Sequence, residues 1–117
     1  MPSALDAEWH NITFSALILR LILDNPLEGE TPQSRLKQIG MMSVLYYMHQ
    51  ANRPLTIMNI VEFTALTRGG VTEAIDQLVR RKIVTESIVR NSMGRGQARE
   101  LKISPDIFKR LRALQAG

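Results

Sequence analysis

The 117-residue chain has no cysteine, which excludes disulfides, thiolate metal sites and thiol redox sensing. Histidine is nearly as scarce. His10 and His49 lie far apart in sequence, and neither has a carboxylate at metal-motif spacing. The expectation is no metal and no cofactor. Long apolar runs are missing too. The longest, Phe14 to Leu23, is interrupted by Arg20 and falls short of the roughly 20 residues a bilayer-crossing helix needs. Asp6 and Glu8 precede it, where a secretory signal would carry cations. These absences predict a cytoplasmic protein with no membrane partner. No nucleophile, base and orienting residue recur at suggestive spacing, and there is no phosphate-binding loop, so no enzyme is expected. Internal repeats and low-complexity tracts are absent as well.

What is present fits one domain with one core, since compact domains run about 50 to 200 residues. Apolar residues make up 44% of the chain and charged residues 22%, a composition that argues against disorder. The net charge of +4 is unevenly placed. Residues 1–30 hold five acids and only Arg20, for −4, so residues 31–117 carry +8. A basic body joined to an acidic leading segment points to a polyanionic partner for the body and a separate task for the segment.

Leu5, Trp9, Ile12, Ala16, Leu19 and Leu23 recur at spacings of four and three, the seam of a long first helix. Its second half is apolar on its other sides too, through Phe14, Leu17, Ile18, Leu21 and Ile22. A helix apolar nearly all round needs partners on several faces, and a chain this short predicts that a second copy supplies one of them. NPLEGETP, residues 25–32, reads as a loop. A second helix is predicted from about Gln33 to Ala51, with Leu36, Ile39, Val44, Tyr47 and Met48 inward. After the extended link at Pro54, Thr56 caps a short third helix to about Phe63, with Ile60 and Val61 inward. Thr67 caps the next, whose stripe is Val71, Ile75, Leu78 and Val79. Two β-prone runs, Thr85–Arg90 and Ala98–Ile103, flank the glycine-bearing segment NSMGRGQ and read as a hairpin. Ser104, Pro105 and Asp106 open a last helix running to about Gln115.

A short helix, a tight turn, a second helix and a hairpin make the layout of a winged helix-turn-helix. The predicted fold class is therefore mainly α with a small β-hairpin wing and an N-terminal dimerisation helix. Residues 1–32 are expected to form the dimer arm, 33–104 the DNA-binding unit and 105–117 the last helix. On a wheel centred on Ile75, Gly70, Glu73, Gln77 and Arg80 point farthest from the core, flanked by Gly69, Thr72, Asp76 and Arg81. Small residues at the front of that face suit close approach to base edges in a major groove. Alternatively, Gly69 and Gly70 merely lengthen the turn. Arg90, Arg95 and Arg99 lie on or near the hairpin, where arginines on a thin loop reach phosphates or a narrow minor groove. Asp76 is expected to pair with Arg80 four residues on. Glu73 is left open between that kind of role and accepting from a cytosine amino group.

PLTIMNIVEFTALTRGGVTEAIDQLVRRKIVTE, residues 54–86, resembles the DNA-binding core of MarR-type transcriptional regulators. VTEAIDQLVRRKIV matches that family's VTxxVDxLxxxGLV, and GRGQARELKIS is similar to its charged hairpin and exit. The likeness spans roughly half of the chain, Pro54 to Ser104. It implies Arg68, Gly69, Gly70, Thr72, Glu73 and Gln77 as groove-facing residues, with Arg95 and Arg99 as wing contacts. Thr67 at the cap, Arg80 and Arg81 late in the helix, and Arg90 complete the DNA-binding set. It also implies a homodimer held by the first and last helices. The chain departs from the pattern in three places: Lys82 stands for a glycine, the wing lacks the aspartate of a D-x-R motif, and the segment after the wing is short, so the first helix carries more of the dimer contact.

The expected function is thus a sequence-specific regulator that binds double-stranded DNA as a homodimer on a palindromic operator. A winged helix used for protein contact is the alternative. A small-molecule effector is a further partner the resemblance implies, with Trp9, Tyr46, Tyr47 and the methionines either lining its cavity or serving as plain core.

Overall fold

The computed structural model describes the backbone of residues 4–90 and 97–116 and the side chains of residues 11–88 and 99–114. In chain order the elements are α1 (Ala4–Leu23), α2 (Pro32–Gln50), α3 (Ile57–Thr64), α4 (Arg68–Arg80), β1 (Val84–Arg90), β2 (Gln97–Ile103) and α5 (Pro105–Ala116). The protein is mainly helical with a two-stranded antiparallel hairpin.

One device starts three of the helices. The hydroxyls of Thr31, Thr56 and Thr67 accept from the backbone N–H groups of Ser34, Asn59 and Gly70 at 3.0, 3.1 and 3.0 Å. Each satisfies a donor that the first helical turn leaves free. Two helices end alike. Asn52 and Lys82 sit at φ +56° and +65°. After α4, Lys82 N–H donates to the Val79 carbonyl and Ile83 N–H to that of Leu78, the paired bonds of a Schellman stop. Ala65, at φ +60°, makes the turn between α3 and α4.

β1 and β2 pair in register from Val84 opposite Ile103 to Arg90 opposite Gln97. The extended link before α3 adds to this ribbon: Leu101 N–H donates to the Leu55 carbonyl at 2.7 Å, and Thr56 bridges Glu100. The base of the hairpin is thereby tied to the start of α3.

The core gathers Phe14, Ile18 and Ile22 of α1, Met42, Leu45 and Met48 of α2, Ile60 of α3, Ile75 and Leu78 of α4, Leu101 of β2 and Ile107 of α5. Phe14 stacks on Tyr46 with ring centroids 3.9 Å apart. The α1 positions in this core are not the expected seam. Ile12, Ala16, Leu19 and Leu23 point the opposite way and are exposed, while the side chains of Leu5 and Trp9 lie outside the described residues. In α2, Leu36 and Tyr47, expected inward, are exposed, and Gln38, Met41, Met42, Leu45, Tyr46 and Met48 are buried. An α2 that packs on both α1 and α4 takes a wider buried face than one helical stripe.

Among the described residues, no helix is long and apolar enough to cross a membrane.

Candidate nucleic-acid interface

α4 forms because Thr67 caps it, because Val71, Ala74, Ile75 and Leu78 make one buried stripe, and because Lys82 stops it. Both glycines belong to its first turn, so they do not extend the preceding turn. Two glycines there weaken the helix by up to about 1 kcal/mol each relative to alanine.

The centre of the buried stripe lies about 50° from Ile75 at ~100° per residue, and this rotates the outward face from the one expected. Arg68, Gly69, Glu73, Asp76 and Arg80 are exposed, and Thr72 and Gln77 are half-buried on its flanks. Gly70 turns toward α2 instead. It helps line a groove of about 320 Å³ with Lys37, Gly40, Met41, Val44, Leu66 and Ala74. A Cβ on Gly70 would sit 3.1 Å from the capping Thr67 Oγ1, whereas one on Gly69 would meet nothing within 4 Å. Gly69 is therefore the residue of the pair whose missing side chain leaves the front of α4 slim.

Arg81 is a clear correction. Its side chain is only 4% exposed and forms an ion pair with the enclosed side chain of Glu30; it has no outward reach. Arg80 does face solvent, with one guanidinium nitrogen donating to the Glu28 carbonyl at 3.3 Å. Burial by itself would raise the Glu30 carboxyl. Hydrogen bonds from Gln38 and the Leu27 backbone, with the charges of Arg81 and Arg35, outweigh it, and the net shift is downward.

The expected pairing of Asp76 with Arg80 is replaced by another. Arg99 on β2 donates to Asp76 Oδ1 at 2.9 Å and to Glu86 Oε2 at 2.6 Å. Its guanidinium pKa is raised, first through the Asp76 bond. Arg99 thus ties the hairpin to the outward face of α4 and neutralises acids there, in place of standing free on the wing. The Arg90 side chain and the whole of Arg95 lie outside the described residues.

Trp9, Tyr46 and Tyr47 were the aromatic residues expected near an effector. The Trp9 side chain is outside the described set. Tyr46 is buried against Phe14, its hydroxyl pKa raised by that burial, and Tyr46 and Tyr47 border a small open cleft of about 240 Å³ between α1 and α2. Among the described residues, no group of three or more His, Asp or Glu side chains could hold a metal.

No family model, curated protein or solved structure matches the chain.

Two features escaped the sequence reading. One is the buried Glu30–Gln38–Arg81 cluster. The other is an exposed ring pair, Tyr47 stacked on Phe63 at 5.5 Å with the Arg53 guanidinium 5.4 Å from the Phe63 centroid. Exposed aromatics at helical spacing read as core in a sequence, so only a surplus of apolar positions on α2 and α3 hinted at the second.

Proposed function

We propose that the chain is a winged helix-turn-helix DNA-binding regulator of MarR type that acts as a homodimer on a roughly palindromic operator. The observation that carries this reading is the slim, capped front of α4. Gly69 points outward with open space around it at a helix N-terminus, where free N–H groups and the dipole favour phosphate. Glycine weakens a helix, and close approach to a duplex is a reason to keep it there. The hairpin beside it, held by Arg99, is the wing. Glu73, Thr72 and Gln77 are then the side chains able to reach base edges, with Arg68 and Arg80 on phosphates.

The dimer surface is the outward face of α1. Ile12, Leu19 and Leu23 are 64%, 41% and 47% exposed, and Leu114 on α5 is exposed as well. Such a row of large apolar side chains is what a partner helix covers. In a two-fold dimer the two α4 helices would enter successive major grooves about 34 Å apart.

Selection of bound fragments from a random duplex pool by the purified protein tests the reading. A two-fold consensus, with affinity that falls steeply as salt rises through counterion release, is the expected result. Weak, salt-insensitive binding with no consensus would reject it. A second reading, docking to another protein, is favoured by the exposed Tyr47–Phe63 pair. A dimer that binds no duplex at low salt would be its mark.

A further inference from the structure

The C-terminal end of α4 is fastened to the loop that leaves α1. Arg81 spends its guanidinium on three partners: Nε donates to Gln38 Oε1 at 2.7 Å, one terminal nitrogen to the Asn25 carbonyl at 2.6 Å and the other to Glu30 Oε1. Gln38 closes the circuit, its Nε2 donating to Glu30 Oε2 at 2.6 Å, and the Leu27 N–H donates to Glu30 Oε1 at 3.2 Å. Arg80 adds its bond to the Glu28 carbonyl. The buried amide of Gln38 is wholly polar yet sits among the most enclosed side chains of the protein.

A buried ion pair contributes little net stability, since apolar residues of similar size often serve as well or better. What the Glu30, Gln38 and Arg81 set supplies is direction. A planar guanidinium bonded on three sides holds one orientation, and here it fixes the end of α4 to Asn25 and Glu30. The segment so held contains Pro26 and Gly29, the latter at φ +79°. α1 packs on α2 and α5, and α4 packs on α2, α3 and β1, so the clasp is a polar link from the end of α1 to the end of α4. Beside it, the Arg35 Nε is buried with no partner among the described residues.

We propose that Glu30, Gln38 and Arg81 are positioning residues that set the angle between the dimer arm α1 and the DNA-reading helix α4, and so set the half-site spacing the dimer accepts. This rests on the function proposed above. One base pair of spacing turns a half-site by about 34° and moves it about 3.4 Å, so a few degrees of play at the clasp in each copy blurs the choice between neighbouring spacings. The clasp therefore governs spacing and leaves the sequence of each half-site alone.

Two arms test it. The first needs no DNA. The chain lacks cysteine, so Ser15→Cys on α1 and Glu73→Cys on α4 take spin labels at chosen sites, and labelled chain diluted in unlabelled chain reports the distance within one copy. With Arg81 intact the distribution is narrow. With Arg81→Lys, or with Glu30→Met and Arg81→Met together, it broadens or shifts. An unchanged distribution in folded variants overturns the proposal, whether or not the protein binds DNA. The paired methionine variant covers the case in which Arg81→Lys does not fold. The second arm uses duplexes carrying the selected half-site in two copies at spacings varied by single base pairs. The wild-type chain prefers one spacing by about tenfold or more, in the range of a mismatched base pair. The variants bind a single half-site as before and lose most of that preference. Spacing preference kept in full by the variants also overturns the proposal. A wild-type chain that selects no duplex refutes the DNA-reading function itself, while the distance arm still decides the clasp.

Discussion

Arg99 on the hairpin and Asp76 on α4 meet at 2.9 Å, and the same guanidinium holds Glu86 on β1. The positive charge is thus spent on two carboxylates that would otherwise repel a polyanion. Arg99→Ala removes one cation and uncovers two anions. Because both acids are substantially exposed, stability changes by less than about 1 kcal/mol. Duplex affinity at low salt falls by about tenfold or more, measured by fluorescence anisotropy beside a thermal melt. Unaltered affinity would place the hairpin and α4 away from the duplex.

Leu19 lies on the α1 face directed away from the core. Leu19→Glu leaves the single chain folded, as circular dichroism shows, but puts a charge where the second copy is expected. Sedimentation equilibrium then gives monomer for the variant and dimer for the parent. A variant that dimerises as well as the parent would move the interface elsewhere.

The lowered carboxyl pKa of Glu30 makes a prediction about acid. A folded-state pKa below the unfolded one means the folded state holds fewer protons, so the stabilisation is fully present above the ordinary carboxylate range. It is lost as pH falls through that range to the folded value. Urea unfolding at a series of pH values shows this loss in the parent chain. Glu30→Gln flattens that part of the profile and, by leaving Arg81 buried without its partner, costs about 3–5 kcal/mol at neutral pH.

Lys82 occupies φ +65°, a conformation that disfavours L-residues by roughly 1–2 kcal/mol. Lys82→Gly removes that strain and loses part of the gain to the greater freedom of the unfolded chain. The expected net gain is about 0.5–1 kcal/mol in chemical denaturation, with duplex affinity little changed. Destabilisation would mean that the lysine side chain holds something the described contacts do not include.

Much of the helical frame was legible in the sequence because local chemistry fixes it. Thr56 and Thr67 cap as threonine before a helix should, and Ser104 with Pro105 opens α5. The face each helix buries was harder to read. On α1 two apolar faces compete, and the choice of Phe14, Ile18 and Ile22 depends on α2 and α5, which a single-helix wheel does not contain. On α4 the expected stripe held Val79 where the buried one holds Ala74, so a wheel centred on Ile75 was rotated and turned Gly70 and Arg81 outward. The long-range pairs were invisible. Glu30 and Arg81 are 51 residues apart, Asp76 and Arg99 are 23, and nothing local distinguishes such residues from solvated surface charges. Asp76 had a plausible helical neighbour in Arg80, and the hairpin outcompeted it.

The central claim is that the leading edge of α4 approaches a duplex closely, and Gly69→Ala tests it most directly. The new methyl meets open space in the free protein and improves helix propensity by up to about 1 kcal/mol, so the melting temperature rises by roughly a few degrees. Anisotropy titration of parent and variant against a selected duplex should show affinity falling by about tenfold or more despite the added stability. A variant that is more stable and binds the duplex as tightly as the parent would contradict the account.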